Sequence, residues 1–428
     1  MKRNIGLAVA ALCALAAASG RGENVSRLTL AEALRLASER NPDLLAARAD
    51  LESARASRTT AVALPNPALA YSTSKIPTDG SPANTIYGNG FNSRSYDTVV
   101  SASELVEIGG KRKDRRVSAD EGIAGATARL ADAARLLDAA VVRAYTAAGV
   151  ARASAAIARE TAASFGKTAG LAKEREAAGE ISMSEKTQIE IAGGRFLADA
   201  AQADLAYANA VRALGALLNM PAVALAEDLD APGEIMPPNS SVTPEIDETL
   251  FARRPDLAAL EAAVRKAEAD LALQKAFRVP DPTLLAQYER QPPDQRNTAG
   301  FGVSFPLPVF NLNGGAIRAA QVAVESARRD LARGRVRVQQ DLAATRDALE
   351  TARVRALRLV NDLLPKSQKV RDIVRFAYEQ GAASLLELLE AERNANDIRL
   401  AAVSARGDLA AARADFFAAR PGVDRNHP

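Results

Sequence analysis

The chain has 428 residues, is 48% apolar but only 4% aromatic with no Trp, and carries a formal charge of +3. Such a near balance excludes the basic footprint of a nucleic-acid binder. A single His and a single Cys remove the usual devices of acid–base, thiol and metal chemistry.

The first twenty residues read as a secretory signal peptide: Lys2 and Arg3 start it, an apolar run from Ile5 to Ala16 follows, and small residues over 16–20 offer a cleavage site. The run is too short for a transmembrane helix. Cys13 lies inside it and leaves with it; Leu12 before that Cys is the wrong size for lipid attachment. Without Lys2 and Arg3, the 55 basic residues fall almost level with the 52 acidic ones.

Beyond the signal the sequence repeats itself. Asn41-Pro-Asp-Leu44 returns as Arg254-Pro-Asp-Leu257, Pro65-Asn-Pro67 as Pro280-Asp-Pro282, Gly109-Gly110 as Gly314-Gly315, and Gly179 with Ser182 and Glu185 as Gly381 with Ser384 and Glu387. The order is kept at an offset of roughly 200 residues, which marks an internal duplication. The expected division is a signal over 1–20, a first repeat over 21–220, a Pro-rich connector over 221–241, a second repeat over 242–420 and a flexible tail over 421–428.

Within each repeat a short helix is expected first, over 43–63 and 256–278, ended by a Pro-x-Pro that no helix crosses. Two strands follow, recognised by their period of two. Leu69, Tyr71 and Thr73 oppose Ala70, Ser72 and Ser74, and a second run covers 96–106. In the second repeat Leu284, Ala286 and Tyr288 share a face, as do Phe301, Val303, Phe305, Leu307 and Val309. A long Ser/Asn/Gly loop over 77–95 and a short one over 291–297 join the pairs.

Each repeat then turns helical. Lys111 to Ala178 holds no proline, and Ala316 to Gln380 only Pro365; at ~1.5 Å per residue each stretch spans about 100 Å. The second carries heptads at Ile317, Val324, Leu331 and Val338, then Leu342, Leu349, Ala356, Leu363, Val370 and Ala377, with a four-residue stutter between 338 and 342. Gly179 and Gly381 permit a tight reversal. Ser182 and Ser384 cap the returning helices, expected over 183–218 and 385–419, with Glu185 and Glu387 at capping-box spacing.

Four short strands make an open sheet, and unpaired edges are not tolerated in lipid. Two chains would close a filled eight-stranded barrel, while three leave room for a pore. The fold class is therefore mostly α with a small membrane β part: a duplicated unit forming a long α-helical coiled-coil barrel plus a 12-stranded β-barrel built by three chains, four strands from each.

This order of helix, Pro-x-Pro, β-hairpin, long helix, G-x-x-S turn and return helix resembles the TolC family of outer-membrane efflux factors over nearly the whole mature chain. Its most specific pieces are the two x-Pro-Asp-Leu starts, the run Tyr378 to Leu389, and Leu307-Pro-Val-Phe-Asn-Leu-Asn-Gly-Gly315. The resemblance implies a homotrimer in the outer membrane with a periplasmic helical tunnel. Its tips would dock on a periplasmic adaptor (membrane fusion) protein and, through it, an inner-membrane pump of the resistance-nodulation-division type. By that resemblance Gly179, Ser182, Gly381 and Ser384 line the docking tip, and Tyr378, Glu387 and Glu390 form a pore constriction. Three copies of the two carboxylates would favour cations there. Read without the family, these are turn residues, a cap and a solvated helix face.

The basic run Glu107-Ile-Gly-Gly-Lys-Arg-Lys-Asp-Arg-Arg116 resembles the heavy-metal branch, associated with cobalt, zinc and cadmium export. Positive charge at a helix start opposes the dipole, so a partner or lipid phosphate is expected to hold it. The residues suggest no catalytic centre, no cofactor and no metal site: His427 sits at the tail, and Met183, Met220 and Met236 are scattered. A passive efflux conduit is the leading reading. The same conduit serving ABC-type protein secretion and a soluble periplasmic coiled-coil scaffold are the alternatives.

Overall fold

The computed structural model describes residues 27–76, 96–221, 223–226, 254–291 and 295–420. The expected signal, the 77–95 loop, most of the connector and the tail lie outside them. In chain order the elements are β1 (Arg27–Leu28), α1 (Leu30–Arg40), α2 (Pro42–Val62), β2 (Ala68–Ser74), β3 (Asp97–Leu105), α3 (Lys111–Ala177), α4 (Met183–Leu217), β4 (Ala224–Leu225), α5 (Pro255–Ala276), β5 (Thr283–Gln291), β6 (Gln295–Ser304), α6 (Gly314–Arg358), a π-helical turn (Leu359–Leu363), α7 (Leu364–Glu379) and α8 (Leu385–Ala419). They fall into two compact units. One takes Met1–Leu45, Ala133–Leu250 and Gln339–Pro428, the other Ala46–Asp132 and Phe251–Val338. Each draws on both halves of the sequence.

The first unit is helical. One part of its core gathers Leu36 of α1, Val141 and Tyr145 of α3, and Leu214 of α4 around Leu28 and Leu225. Those last two belong to β1 and β4, which pair in parallel. The connector, expected to be irregular, thus contributes a short strand, and the Tyr145 hydroxyl donates to the Leu28 carbonyl at 3.1 Å. Helix α1 had no counterpart in the expected elements. Thr29 starts it with a full capping box, its side chain accepting from the Glu32 amide while the Glu32 carboxylate accepts from the Thr29 amide at 3.0 Å.

The repeated x-Pro-Asp-Leu motif works differently at its two sites. Asn41 Oδ1 accepts from the amides of Asp43 and Leu44 at 3.0 and 3.1 Å, while its Nδ2 donates to the Leu217 carbonyl at 3.0 Å. Arg254 instead grips Asp256 with both arms of its fork, at 3.0 and 2.7 Å. Asn41 and Arg254 are both buried, and the Asn41 bond to Leu217 fastens the first of these helix starts to the end of α4.

The heptad stripe is buried at Ile317, Val324, Val338, Leu342, Leu349 and Ala356, with Leu331 half-buried. It then fails: Val370 is exposed and Ser367 is buried instead. The π-helical turn is the reason. Pro365 has no N–H to give an α-helical bond. Just before it the Leu364 amide reaches back to Leu359, five residues rather than four. That wide turn rotates everything after it off the heptad.

The second unit holds the sheet, in the order β2-β3-β5-β6 with every neighbour antiparallel. The register aligns Leu69, Ala102, Ala286 and Phe301 in one rung and Tyr71, Val100, Tyr288 and Ala299 in the next. Because side chains alternate, both rungs occupy one face. The opposite face carries rungs such as Ala70, Ser101, Gln287 and Gly300. Strand β6 stops at Ser304, short of the expected Leu307 and Val309. Pro306 and Pro308 cannot donate to a ladder, so pairing ends before them. The short hairpin loop is also tighter than expected, with β5 reaching Gln291 and β6 starting at Gln295.

Candidate functional site

The two helical turns are built alike. After α3, the Glu180 amide donates to the Arg175 carbonyl at 2.8 Å and the Gly179 amide to Glu176 at 2.9 Å. After α7, Ala382 reaches Ala377 at 2.8 Å and Gly381 reaches Tyr378 at 3.0 Å. This pair of bonds is the Schellman arrangement, which needs a left-handed residue at its turn. Gly179 and Gly381 supply it with φ of 76° and 73°.

The caps that follow differ. Ser384 and Glu387 close a full box: Glu387 Oε2 accepts from the Ser384 amide at 2.7 Å and from its hydroxyl at 2.9 Å. Those two donors, the amide first, hold the Glu387 carboxyl below its ordinary value of 4.5. Ser182 caps α4 through the Glu185 amide at 3.1 Å, but the Glu185 carboxylate does not return the bond. It lies close enough to Tyr378 for its charge to act on that phenol. Burial, then the Glu185 charge, pushes the Tyr378 phenol above its ordinary 10.0, while Arg175 pulls the other way. The Arg175 guanidinium lies 5.9 Å from the Tyr378 ring centre.

Of the residues expected at a constriction, Tyr378 is therefore engaged between α7 and the α3–α4 hairpin, packed against a cluster that includes Phe165, Ile189, Phe196 and Leu389. Glu387 is committed to its cap. Glu390 is exposed and makes no ion pair or side-chain hydrogen bond among the described residues. Sequence reasoning missed Arg175 and the diverted role of Glu185, because that contact joins residues far apart in the chain.

Further along, α3 and α8 are joined by charge. Arg399 donates to Glu160 at 2.7 Å and holds its carboxyl below the ordinary range, helped by Arg371 and Arg375. Arg375 also reaches the buried Glu392 at 2.9 Å.

In the other unit, the basic run is largely spoken for. Lys111 Nζ lies 2.7 Å from Asp281 and donates to the Val279 carbonyl at 2.6 Å. Arg112 and Arg115 donate to the Val62 and Ala61 carbonyls at the end of α2, where cations suit the dipole. Arg115 also grips Glu107 with both arms, and that bond raises its pKa. Two of the cations that appeared to oppose one helix start, Arg112 and Arg115, thus close the end of another helix. One sheet face is apolar and exposed, with Leu69 at 78% and Phe301 at 89%, while β2 and β6 are edge strands without a second neighbour in the sheet. No helix among the described residues is long and apolar enough to cross a membrane.

Comparison with known proteins places this architecture. The family model "Outer membrane efflux protein" matches residues 33–220 and 248–419. The cobalt-zinc-cadmium resistance protein CzcC of Cupriavidus metallidurans is 26% identical over 379 residues, covering 88% of this chain and 86% of that protein. Among solved structures, CusC superposes with a TM-score of 0.77 at 18% identity, covering 93% of each chain. The CmeC outer membrane channel of Campylobacter jejuni gives 0.76 at 18% identity, covering 91% of this chain and 85% of its own. With the family model matching both halves, this chain belongs to the outer membrane efflux protein family: a channel protein of the outer membrane, and not an enzyme.

Proposed function

We propose that three copies of this chain close into one conduit, the outer-membrane exit of a tripartite efflux system that carries divalent heavy-metal cations. The observation that carries the reading is the four-stranded sheet. It has two unpaired edges, one face with an apolar band of Leu69, Val100, Leu284, Tyr288, Phe301 and Val303 bordered by Glu104 and Arg290, and an opposite face of mostly small and polar residues. Alone it leaves unsatisfied backbone groups in lipid, at several kcal/mol each. Pairing β6 of one copy with β2 of the next removes both edges. The apolar face then meets lipid and the polar face lines a pore.

The long helices would continue that pore into the periplasm. Their turns at Gly179, Ser182, Gly381 and Ser384 are the docking surface for an adaptor protein, which connects the conduit to a proton-driven inner-membrane pump. Tyr378, Glu387 and Glu390 form the constriction, with distinct parts. Glu390 offers a free carboxylate, Glu387 stiffens the turn, and Tyr378 ties the second hairpin to the first by packing on its cluster and under Arg175. The metal cargo is supported by the likeness to CzcC. Energy and selection belong to the pump.

The test is a deletion strain complemented with the wild-type or a tip variant. Cells lacking the protein should accumulate cobalt, zinc or cadmium. Photo-crosslinkers at Ser182 and Ser384 should capture an adaptor. Unchanged metal content together with loss of a secreted protein would transfer the conduit to protein secretion and overturn the metal reading.

A further inference from the structure

One band of the second unit is left unexplained by a conduit. Directly after β6, residues 305–312 leave the sheet with Phe305, Leu307, Val309, Phe310 and Leu312 exposed, Phe310 completely so. The loop is anchored, not dangling. Arg278 Nε donates to the Leu312 carbonyl at 3.2 Å, and Asn313 Nδ2 donates to the Gln274 carbonyl at 2.8 Å. A few residues on, the same C-terminal end of α5 receives Lys111, whose ammonium reaches the Val279 carbonyl and sits 5.6 Å from the Phe277 ring centre. The apolar loop and the first turns of α3 and α6 therefore lie at one level, at the end of the sheet that continues into the helices.

That level also carries unused positive charge. Lys111 and Arg115 are matched to Asp281 and Glu107. Lys113 and Arg116 of α3 and Arg318 of α6 are exposed and have no hydrogen bond or ion pair among the described residues. Lys113 sits in the first turn of its helix, where the dipole disfavours a cation, and Arg116 and Arg318 sit in the second turns of theirs. Asp114 and Glu104 lie nearby, also without an ion pair, and only partly offset them. Exposed cations without an ion pair, beside aromatic and aliphatic side chains kept in water, match one environment. It has hydrocarbon on one side and phosphate on the other.

We infer that this band is a phospholipid-headgroup site on the periplasmic side of the outer membrane. Phe310, Leu307 and Leu312 enter the acyl region, while Lys113, Arg116 and Arg318 hold the phosphates of anionic phospholipid. Continuity with the apolar sheet face sets the depth: β6 presents Phe301 and Val303 on that face and runs straight into the loop. The inference rests on the outer-membrane location and on the lipid-facing sheet proposed above, and is independent of cargo and pump. Its consequence is a conduit whose height in the membrane is pinned at the point where the sheet gives way to helices.

Two measurements test it on the mature full-length protein in detergent or nanodiscs. In native mass spectrometry, phosphatidylglycerol should be retained over phosphatidylcholine. The Lys113→Gln/Arg116→Gln/Arg318→Gln variant should bind phosphatidylglycerol at least tenfold more weakly, since each cation near an anionic surface contributes about fivefold in affinity. Phosphatidylcholine binding should be unchanged. Equal retention of the two lipids by the wild type overturns the inference without needing any variant. Because the chain has no Trp, Phe310→Trp gives a single reporter. Its fluorescence should be quenched by lipids brominated in the acyl chain and spared by acrylamide. Quenching by acrylamide alone would leave the loop in water, and quenching by neither would bury it against another chain. Either result refutes lipid insertion.

Discussion

Gly407 of α8 packs so closely on α3 that the added methyl of Gly407→Ala would lie 2.2 Å from Val150 Cγ2 and 3.8 Å from Thr146 Cγ2. Two effects compete. Ala is the better helix former by about 1 kcal/mol, while forcing a methylene into packed side chains costs about 1–3 kcal/mol. At 2.2 Å the clash wins, so Gly407→Ala should be destabilised by up to ~2 kcal/mol. Val150 is half-buried. Trimming it to Ala makes room, so Gly407→Ala with Val150→Ala should be more stable than the two separate changes add up to, by about 1 kcal/mol or more. Gly193 of α4 is the control. An added Cβ there meets nothing within 4 Å, so Gly193→Ala should stabilise by roughly 0.5–1 kcal/mol. The assay is the far-UV circular dichroism melting midpoint in detergent at one fixed scan rate, read as an order among variants. If Gly407→Ala raises the midpoint as Gly193→Ala does, and Val150→Ala merely adds to it, the close approach of α8 and α3 is refuted.

Four further outcomes are expected. Lys111→Met strands Asp281, whose side chain is 16% exposed; the loss should be about 3 kcal/mol, and adding Asp281→Asn should recover part of it in the same melt. Asn41→Ala removes the Oδ1 acceptor of two backbone amides and the Nδ2 donor to Leu217 from a buried site, so chemical denaturation should show a loss of about 2–3 kcal/mol. The Tyr378 phenol is raised above 10.0, so its contribution is complete below that pH and is lost as pH climbs through the raised value. An alkaline titration of stability should show that loss in the wild type and not in Tyr378→Phe. Glu387 is held below 4.5, so its contribution is present above that pH and lost as pH falls through the lower value; Glu387→Ala should flatten that acid limb of the melting curve.

The strands could be read from the sequence because a one-sided sheet writes its pattern locally. Leu69 and Tyr71 alternate with the small Ala70 and Ser72, and Ala286 and Tyr288 with Gln287 and Glu289, and the register keeps each set on one face. The two turns were equally legible, since a left-handed glycine followed by a capping Ser is a local signal. Other features were not. Leu307 and Val309 continue the alternation on paper, but Pro306 and Pro308 end the ladder. The heptad list ran through Pro365 as if the helix were uniform, while the π-helical turn displaced Val370 to the surface. Strands of two residues such as β1 and β4 leave no period to detect. Helix α1 did leave one sign, the Thr29–Glu32 capping box.

At the candidate site the division is the same. Gly179, Ser182, Gly381 and Ser384 were found from spacing, because each acts on its own backbone. The pairing of Tyr378 with Glu185 and Arg175 was not, since it depends on two hairpins meeting. Nor could sequence separate the occupied cations Lys111, Arg112 and Arg115 from the unoccupied Lys113 and Arg116. That distinction depends on which carbonyls α2 and α5 bring within reach.

The mass of the particle extracted from outer membranes in mild detergent tests the central claim most directly. Closure of the sheet across chains predicts a single species containing three copies. A stable, uniformly single-chain particle would mean that β2 and β6 need no neighbour, and the conduit would be lost with it.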